Sequence, residues 1–186
     1  TATNFFKKKG GIVFNADEEA KNHLQHSVAL QHKILNAFGP DLKRKSGKIN
    51  LKELSDKAFS STIDQQILNG IMWPELYILL EKEIKKAEGK YSLFVVDAAL
   101  IFEANYTSLF DAILLITADK ETRFRRASRR RYLSSDQIEK RMNLQMPEKD
   151  KKKLTKHVIN NNSTKVKLFS ELDKFYRKVI SPNLSL

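Results

Sequence analysis

Asp17 is a carboxylate placed where it could activate a hydroxyl group. The apolar residues 11–14 predict a short buried strand, and Asp17 follows the end of that strand by three residues. Open α/β sheets bind ligands at the carboxyl ends of their strands, and a carboxylate there can orient and deprotonate the nucleophilic hydroxyl in a phosphoryl transfer. Alternatively, Asp17 caps a helix that begins at Glu18, which is a common position for aspartate. The residues alone leave both interpretations open.

Arginines are concentrated on one predicted helix. They are Arg123, Arg125, Arg126, Arg129, Arg130 and Arg131. Arg123, Arg126 and Arg130 share a helix face, and such a row of cations repels itself unless an anion is bound. Because guanidinium groups match phosphate well, we expect this helix to close over a triphosphate and exclude water. Arg141 and Gln145, on the next predicted helix, could face the same ligand. A solvated helix face and a nucleic-acid-binding helix are the alternatives.

Other kinds of chemistry lack the residues they need. The chain of 186 residues contains no cysteine, which rules out disulfides and thiolate metal sites. His23 and His26 have helical i, i+3 spacing, but no cluster of ligands completes a metal site around them, so we interpret them as structural or exposed. The phosphate-binding pattern G-x-x-x-x-G-K-[ST] does not occur in the sequence.

The composition is that of a basic globular protein. Hydrophobic residues make up 41% of the chain and the formal net charge is +12, so the chain can bury a core and its surface attracts phosphorylated ligands, nucleic acids or acidic membranes. The lysines, including those in the biased segment KDKKK at 149–153, are equally compatible with an ordinary solvated surface. No stretch approaches the roughly 20 apolar residues of a membrane span, and the start lacks the apolar region of a signal peptide. We therefore expect a cytoplasmic protein with no membrane partner.

Strands and helices alternate along the sequence. Continuous apolar runs at 11–14, 93–96, 112–116 and 158–159 predict buried parallel strands. Helical periodicity covers residues 18–38, 61–88, 119–131, 135–146 and 164–180. This order predicts an α/β fold with a mainly parallel sheet. The stretch 18–88 is too long for a simple crossover between two strands, so we expect an inserted helical subdomain there.

A series of segments resembles, in order, those of dephospho-coenzyme A kinases. They are FNADEEAKNHL at 14–24, FG at 38–39, GKINLKELSDKAF at 47–59, VVDAALIFE at 95–103, FDAILLITADKETRFRRASRRR at 110–131, RMNLQ at 141–145 and VINNNS at 158–163. The resemblance implies a single kinase domain over residues 1–186, with a P-loop NTPase-like parallel sheet flanked by helices, an inserted helical substrate subdomain at 18–88 and an arginine-rich lid at 119–150.

The same resemblance implies an activity and its substrates. These enzymes phosphorylate the ribose 3'-hydroxyl of dephospho-coenzyme A with ATP and Mg²⁺, and no nucleic-acid partner is expected. Another small-molecule or nucleotide kinase of the same fold is one alternative. A non-catalytic, basic nucleic-acid-binding protein is the other, and it predicts strongly salt-dependent RNA binding without ATP turnover.

Particular residues take roles from the resemblance. Asp17 is similar to the general base, and Arg130 and Arg141 are similar to arginines that act on the transferred phosphoryl group. Positions similar to nucleotide contacts are Thr1, Arg126, Gln145 and Asn161, and positions similar to substrate contacts are Leu100, Ile101, Phe102 and Glu103.

Four positions depart from the family pattern. Asn15 stands where many relatives have an aspartate, Leu51 where arginine is usual, Trp73 where a histidine precedes proline, and Ala99 where proline is common. We expect weaker placement of magnesium or substrate near Asp17 and the loss of one phosphate contact at Leu51. The resemblance also puts Thr1 just after the P-loop lysine and serine. We therefore expect roughly a dozen or more further N-terminal residues in the natural protein, comprising a strand and the phosphate-binding loop, and an intact natural mass of 21.5 kDa would refute that expectation.

Overall fold

The computed structural model describes residues 1–129 and 134–184 and divides into two compact units. The first unit comprises Thr1–Val13, Tyr91–Val95 and Ala99–Leu186, and the second comprises Phe14–Lys90 and Val96–Ala98. The helices of the described residues are α1 (Ala2–Lys8), α2 (Ala16–His26), α3 (Val28–Phe38), α4 (Leu51–Ala58), α5 (Thr62–Ala87), α6 (Lys120–Ser128), α7 (Ser135–Leu144), α8 (Glu148–Lys151) and α9 (Lys165–Phe175). The strands are β1 (Ile12–Asn15), β2 (Phe94–Asp97), β3 (Leu114–Thr117) and β4 (His157–Asn160).

All four strands lie where the apolar runs predict them. β3 and β4 pair in parallel, with Leu114 opposite His157 and Thr117 opposite Asn160. β1 and β2 form a second pair, and the N–H of Ile12 donates to the carbonyl oxygen of Leu93 just before β2, at 3.0 Å. The prediction of an α/β fold with parallel strands and flanking helices is therefore confirmed.

One predicted helix is broken in two. The prediction of a continuous helix over residues 18–38 was wrong, because Ser27 is extended, with φ −87° and ψ 106°. Its hydroxyl accepts the N–H of Leu30 at 3.2 Å and so caps the start of α3. The long α5 lies where residues 61–88 predict it. Within residues 1–129 and 134–184, no helix combines the length and apolar character that a membrane crossing requires.

The core of the first unit joins α1, β4 and α9. Phe6, Ile159, Leu168 and Leu172 are buried together, and Leu172 is fully enclosed. Each such side chain stabilises the fold by about 1.5–3 kcal/mol through burial. This packing holds β4, and with it Asn160 at the end of the strand and Asn161 and Asn162, which follow it.

The core of the second unit is helical. Buried side chains come from α2, α3, α4 and the segment between α3 and α4: Leu24, Leu30, Ile34, Phe38, Leu42, Ile49, Leu54 and Ala58. Partly buried apolar residues of α5 pack against this cluster. The apolar stripe of α2 is thereby fixed, and the polar first turn of that helix remains at the surface.

Candidate functional site

Asp17 lies in the first turn of α2, directly after β1. The helix begins at Ala16, and its cap is Asn15, whose Oδ1 accepts the N–H of Glu18 at 3.3 Å. The alternative that Asp17 caps a helix beginning at Glu18 was therefore wrong. Asp17 is exposed, and no group among residues 1–129 and 134–184 hydrogen-bonds or pairs with its carboxylate.

Asn15 thus has a defined structural role where the family pattern has aspartate. Its side-chain oxygen satisfies one of the four N–H groups that the start of a helix leaves without a partner. Aspartate could accept the same hydrogen bond, so the amide changes the charge beside Asp17 and not the capping geometry. The replacement of aspartate by Asn15 therefore leaves Asp17 in the first turn of α2.

Two of the predicted nucleotide contacts, Arg126 and Asn161, are bonded to each other. Arg126 on α6 donates from Nη1 to the backbone oxygen of Asn161 at 2.7 Å, across 35 residues of sequence. The N–H of Asn161 donates to the carbonyl oxygen of Thr117 at 2.7 Å, which extends the β3–β4 pairing by one bond. Asn162 Oδ1 accepts the N–H of Asp119 at 2.8 Å, just before α6. The carboxyl ends of the two parallel strands and the start of α6 are therefore tied into one polar network.

Arg123, one turn earlier on α6, faces a carboxylate. Its Nη2 lies 3.9 Å from Glu148 Oε2, and its buried Nε has no hydrogen-bond partner among the described residues. Burial opposes ionisation of Glu148, but hydrogen bonds from Lys152 and Thr117 and the positive charges of Lys152 and Arg123 hold the pKa of this carboxyl below its usual value. The predicted arginine row therefore includes internal partners, and its third member, Arg130, lies outside the described residues.

Arg141 and Gln145 lie at the end of α7. Arg141 is in the last turn, and Gln145 directly follows the helix in an extended conformation. At the other end, Ser134 and Gln137 form a reciprocal capping box. The helix is thus fixed at its start by this capping box.

The predicted substrate segment 100–103 forms compact turns. Backbone N–H groups of Ala104 and Tyr106 donate to Leu100 and Ile101 at 2.9 and 3.1 Å. Glu103 Oε1 accepts the N–H of Met146 at 3.1 Å and lies 2.8 Å from Lys151 Nζ. The side chains of Glu103 and Lys151 are only 14% and 10% exposed. Glu103 is therefore engaged with the loop that follows α7.

Lys151 takes part in these contacts with Glu103, and the sequence did not reveal it. It lies in the lysine-rich segment 149–153, which is typical of a solvated surface, and yet it is buried, with 8% exposure. Its neighbours Lys152 and Lys153 pair with Glu148 and Asp150 at the surface. No feature of the local sequence distinguishes Lys151 from them, because its acceptors, Glu103 and the carbonyl of Ala99, come from a distant segment.

Three other residues singled out in the sequence, Thr1, His23 and His26, lie in the following positions. Thr1 precedes α1, is exposed and makes no side-chain capping bond. His23 Nε2 lies 3.0 Å from Glu75 Oε2, and His26 Nδ1 lies 2.8 Å from the backbone oxygen of Asn22. Both histidines thus have protein partners, and the part of the chain that the structure describes contains no group of three or more potential metal ligands of the His, Cys, Asp and Glu types.

Solved structures with the same fold include a crystal structure of TT1252 from Thermus thermophilus. It aligns with a TM-score of 0.75 and 24% identity, covering 97% of this chain and 88% of that chain. The structure of dephospho-CoA kinase from Campylobacter jejuni aligns with a TM-score of 0.64 and 25% identity, covering 98% and 92% of the two chains. The fold is therefore an α/β fold that this chain shares with both structures, one of which is a dephospho-CoA kinase.

Sequence comparison identifies the family. The model of the dephospho-CoA kinase family, CoaE, matches residues 1–167. The dephospho-CoA kinase of Chlorobium luteolum is 29% identical over 185 residues, which cover 97% of this chain and 84% of that protein. The chain belongs to the dephospho-CoA kinase family, as the ordered sequence segments indicated, and members of this family are enzymes that use ATP.

Proposed function

We propose that this chain transfers the γ-phosphoryl group of ATP to the ribose 3'-hydroxyl of dephospho-coenzyme A, with Asp17 as the general base. Family membership supplies the reaction, the last step of coenzyme A biosynthesis, and its two substrates. The observation that supports Asp17 as the base is its carboxylate in the first turn of α2, which has no partner among residues 1–129 and 134–184, while Asn15 performs the capping. A carboxylate engaged as the helix cap would have to break that bond before accepting a proton.

The proton transfer follows from the chemistry of a carboxylate beside a hydroxyl. Asp17 accepts a hydrogen bond from the 3'-hydroxyl and takes its proton as the oxygen bonds to the γ-phosphorus. The bond between the γ-phosphorus and the bridging oxygen breaks, and ADP leaves with its electron pair. General-base catalysis of this kind contributes about 10²- to 10⁴-fold to the rate.

Cationic and amide side chains would bind the nucleotide and neutralise the transferred group. Arg126 and Asn161 are supported as nucleotide contacts by the bond that joins them at the ends of β3 and β4, the edge where such sheets bind ligands. Arg141 and Gln145 would act from the end of α7, with Arg141 stabilising charge on the phosphoryl group. The role of Arg130 stays a prediction from the resemblance.

Magnesium would enter as its complex with ATP. Mg²⁺ is commonly held by phosphate oxygens, waters and only one or two carboxylates, without a dedicated protein cage. The described residues fit this form of binding, since they include the carboxylate of Asp17, which has no partner among them. The ion supplies positive charge at the phosphates when bound.

The finer architecture is part of the same proposal. The core would be of the P-loop NTPase type, with the helices within 18–88 as the substrate subdomain and residues 119–150 as the arginine-bearing lid. The compact packing of helices α2–α5 around their own core supports a separate substrate subdomain. Thr1 would lie beside the phosphates, and Leu100, Ile101, Phe102 and Glu103 would border the substrate. A cytoplasmic location also stays a prediction.

The test is steady-state phosphorylation of dephospho-coenzyme A by ATP, with adenosine monophosphate as a competing acceptor. We expect Asp17→Asn to lower kcat by about 10²-fold or more. Glu18→Gln is the matched control, because it removes an exposed carboxylate from the same helical turn. Equal losses in the two variants, or full turnover by Asp17→Asn, would remove Asp17 from the role of base. Preference for adenosine monophosphate would indicate another small-molecule kinase.

A further inference from the structure

We propose that Lys151 is a positioning residue for phosphoryl transfer, which acts through Glu103 to fix the end of α7. The inference rests on the proposed function, since it assumes that Arg141 and Gln145 contact the nucleotide. Lys151 itself would touch neither substrate. Its effect on the reaction would come from the backbone geometry that the Glu103 carboxylate holds.

The contacts form a short relay from α8 to the end of α7. Lys151 Nζ donates to the carbonyl oxygen of Ala99 at 3.0 Å and lies 2.8 Å from Glu103 Oε1. The same carboxylate oxygen accepts the N–H of Met146 at 3.1 Å. Met146 directly follows Gln145, the first residue after α7. One oxygen atom therefore holds both the buried ammonium group and the backbone at the end of the helix.

A second anchor holds the same segment two residues later. Glu148 pairs with Lys152 at 2.7 Å and lies 3.9 Å from Arg123 of α6. The segment from Gln145 to Lys152 is thus attached to α6 on one side and to the loop after β2 on the other. Among residues 1–129 and 134–184, the attachment that reaches the amide of Met146, next to Gln145, is the one through Glu103.

Stability alone does not explain a buried ion pair at this position. Removing two charges from water costs about as much as their attraction returns, and apolar residues of similar size often stabilise a fold equally well. An apolar pair would, however, offer no acceptor to the N–H of Met146. The distinctive contribution of Glu103 and Lys151 is therefore a hydrogen bond that fixes the orientation of the backbone at Met146. A reaction that depends on side-chain placement within about 1 Å is sensitive to that orientation.

Steady-state kinetics with ATP and dephospho-coenzyme A test the proposal. We expect Lys151→Met to lower kcat by about tenfold or more and to leave the KM for dephospho-coenzyme A unchanged, because Lys151 does not contact that substrate. Lys151→Arg should restore most of the activity, since guanidinium can donate to both acceptors. Lys149→Met is the matched control, an exposed lysine of the same short helix, and it should retain wild-type kinetics.

The double variant Glu103→Leu/Lys151→Met separates positioning from folding. It leaves no unpaired buried charge, so we expect it to fold, yet it removes the acceptor for Met146. A folded double variant with a reduced kcat supports the proposal, and one with wild-type kcat overturns it. A rise confined to the KM for dephospho-coenzyme A would also overturn it, because that result would limit Glu103 to the substrate-bordering role of residues 100–103.

Hydrogen exchange provides a readout that does not depend on turnover. Exchange at the Met146 amide should accelerate in the double variant and remain slow in Lys149→Met, and equal exchange in the two would overturn the relay. Failure of the wild-type protein to phosphorylate dephospho-coenzyme A would refute the proposed function instead. The two proposals therefore fail in different experiments.

Discussion

Replacing Arg126 with methionine tests the bond between α6 and the end of β4. The variant keeps a long apolar side chain but loses the donor that lies 2.7 Å from the backbone oxygen of Asn161. A hydrogen bond from a charged donor contributes about 1.5–3 kcal/mol, and the partial exposure of Arg126 favours the lower end of that range. Removing the cation also relieves repulsion from Arg123 and Arg129, which offsets about 0.5 kcal/mol. The net loss is about 1 kcal/mol, or roughly 2–4 °C in Tm for a protein of this size.

Arg125→Met is the matched control for this measurement. Arg125 is exposed on the same helix, and its side chain has no bond within residues 1–129 and 134–184. Its replacement changes the net charge by the same amount as Arg126→Met. It removes a favourable i, i+4 interaction with Glu121 and relieves the repulsion between Arg125 and Arg129. These two small terms nearly cancel, so we expect Tm to change by less than about 1 °C.

Thermal unfolding and ATP kinetics together decide the outcome. If Arg126 and Asn161 contact the nucleotide, Arg126→Met should also raise the KM for ATP by about tenfold, the equivalent of 1.4 kcal/mol, while Arg125→Met should not. Equal shifts of Tm in the two variants would refute the contribution of the bond to stability. An unchanged KM for ATP in Arg126→Met would leave this arginine with a structural role and no contact to the nucleotide.

Two further predictions concern the second unit. Asn15→Ala should lower Tm by roughly 2–4 °C through loss of the α2 cap, which contributes about 1 kcal/mol, whereas Asn15→Asp should not; equal losses would contradict the capping role. Hydrogen bonds from Lys33 and His23, acting against burial, hold the pKa of Glu75 below its ordinary value of 4.5. A lowered carboxyl pKa stabilises the fold above the ordinary value, and this contribution is lost as the pH falls through the folded-state pKa. Melting curves of Glu75→Gln at decreasing pH should therefore show a smaller loss of Tm in acid than the wild type, and parallel curves would contradict the assignment.

The sequence determined the strands well because buried parallel strands leave a local signal. The predicted run 93–96 and the observed β2 differ by one residue, since an uninterrupted apolar stretch has few other places to be buried. Helical periodicity likewise located α5 and α7. It failed at Ser27, where the repeat of apolar residues continues but a side-chain oxygen competes for a backbone N–H and ends one helix before the next begins.

The sequence also located Asp17, but it did not determine what that carboxylate does locally. Position after a strand was compatible with both a helix cap and a free acceptor. The choice between them depends on which residue takes the extended conformation at the helix start, and that residue is Asn15. The structure removed one alternative, and the proposal of a general base rests on the other.

The pairings between distant segments were decided only by the tertiary structure. Arg126 and Asn161 were separate predictions from two motifs, and nothing in either motif indicated that the side chain of one binds the backbone of the other. Lys151 resembled its exposed neighbours until its acceptors were known. A sequence pattern records local periodicity and residue chemistry, whereas burial and partner choice depend on where the chain brings residues such as Glu103 and Met146, 43 positions apart, into contact.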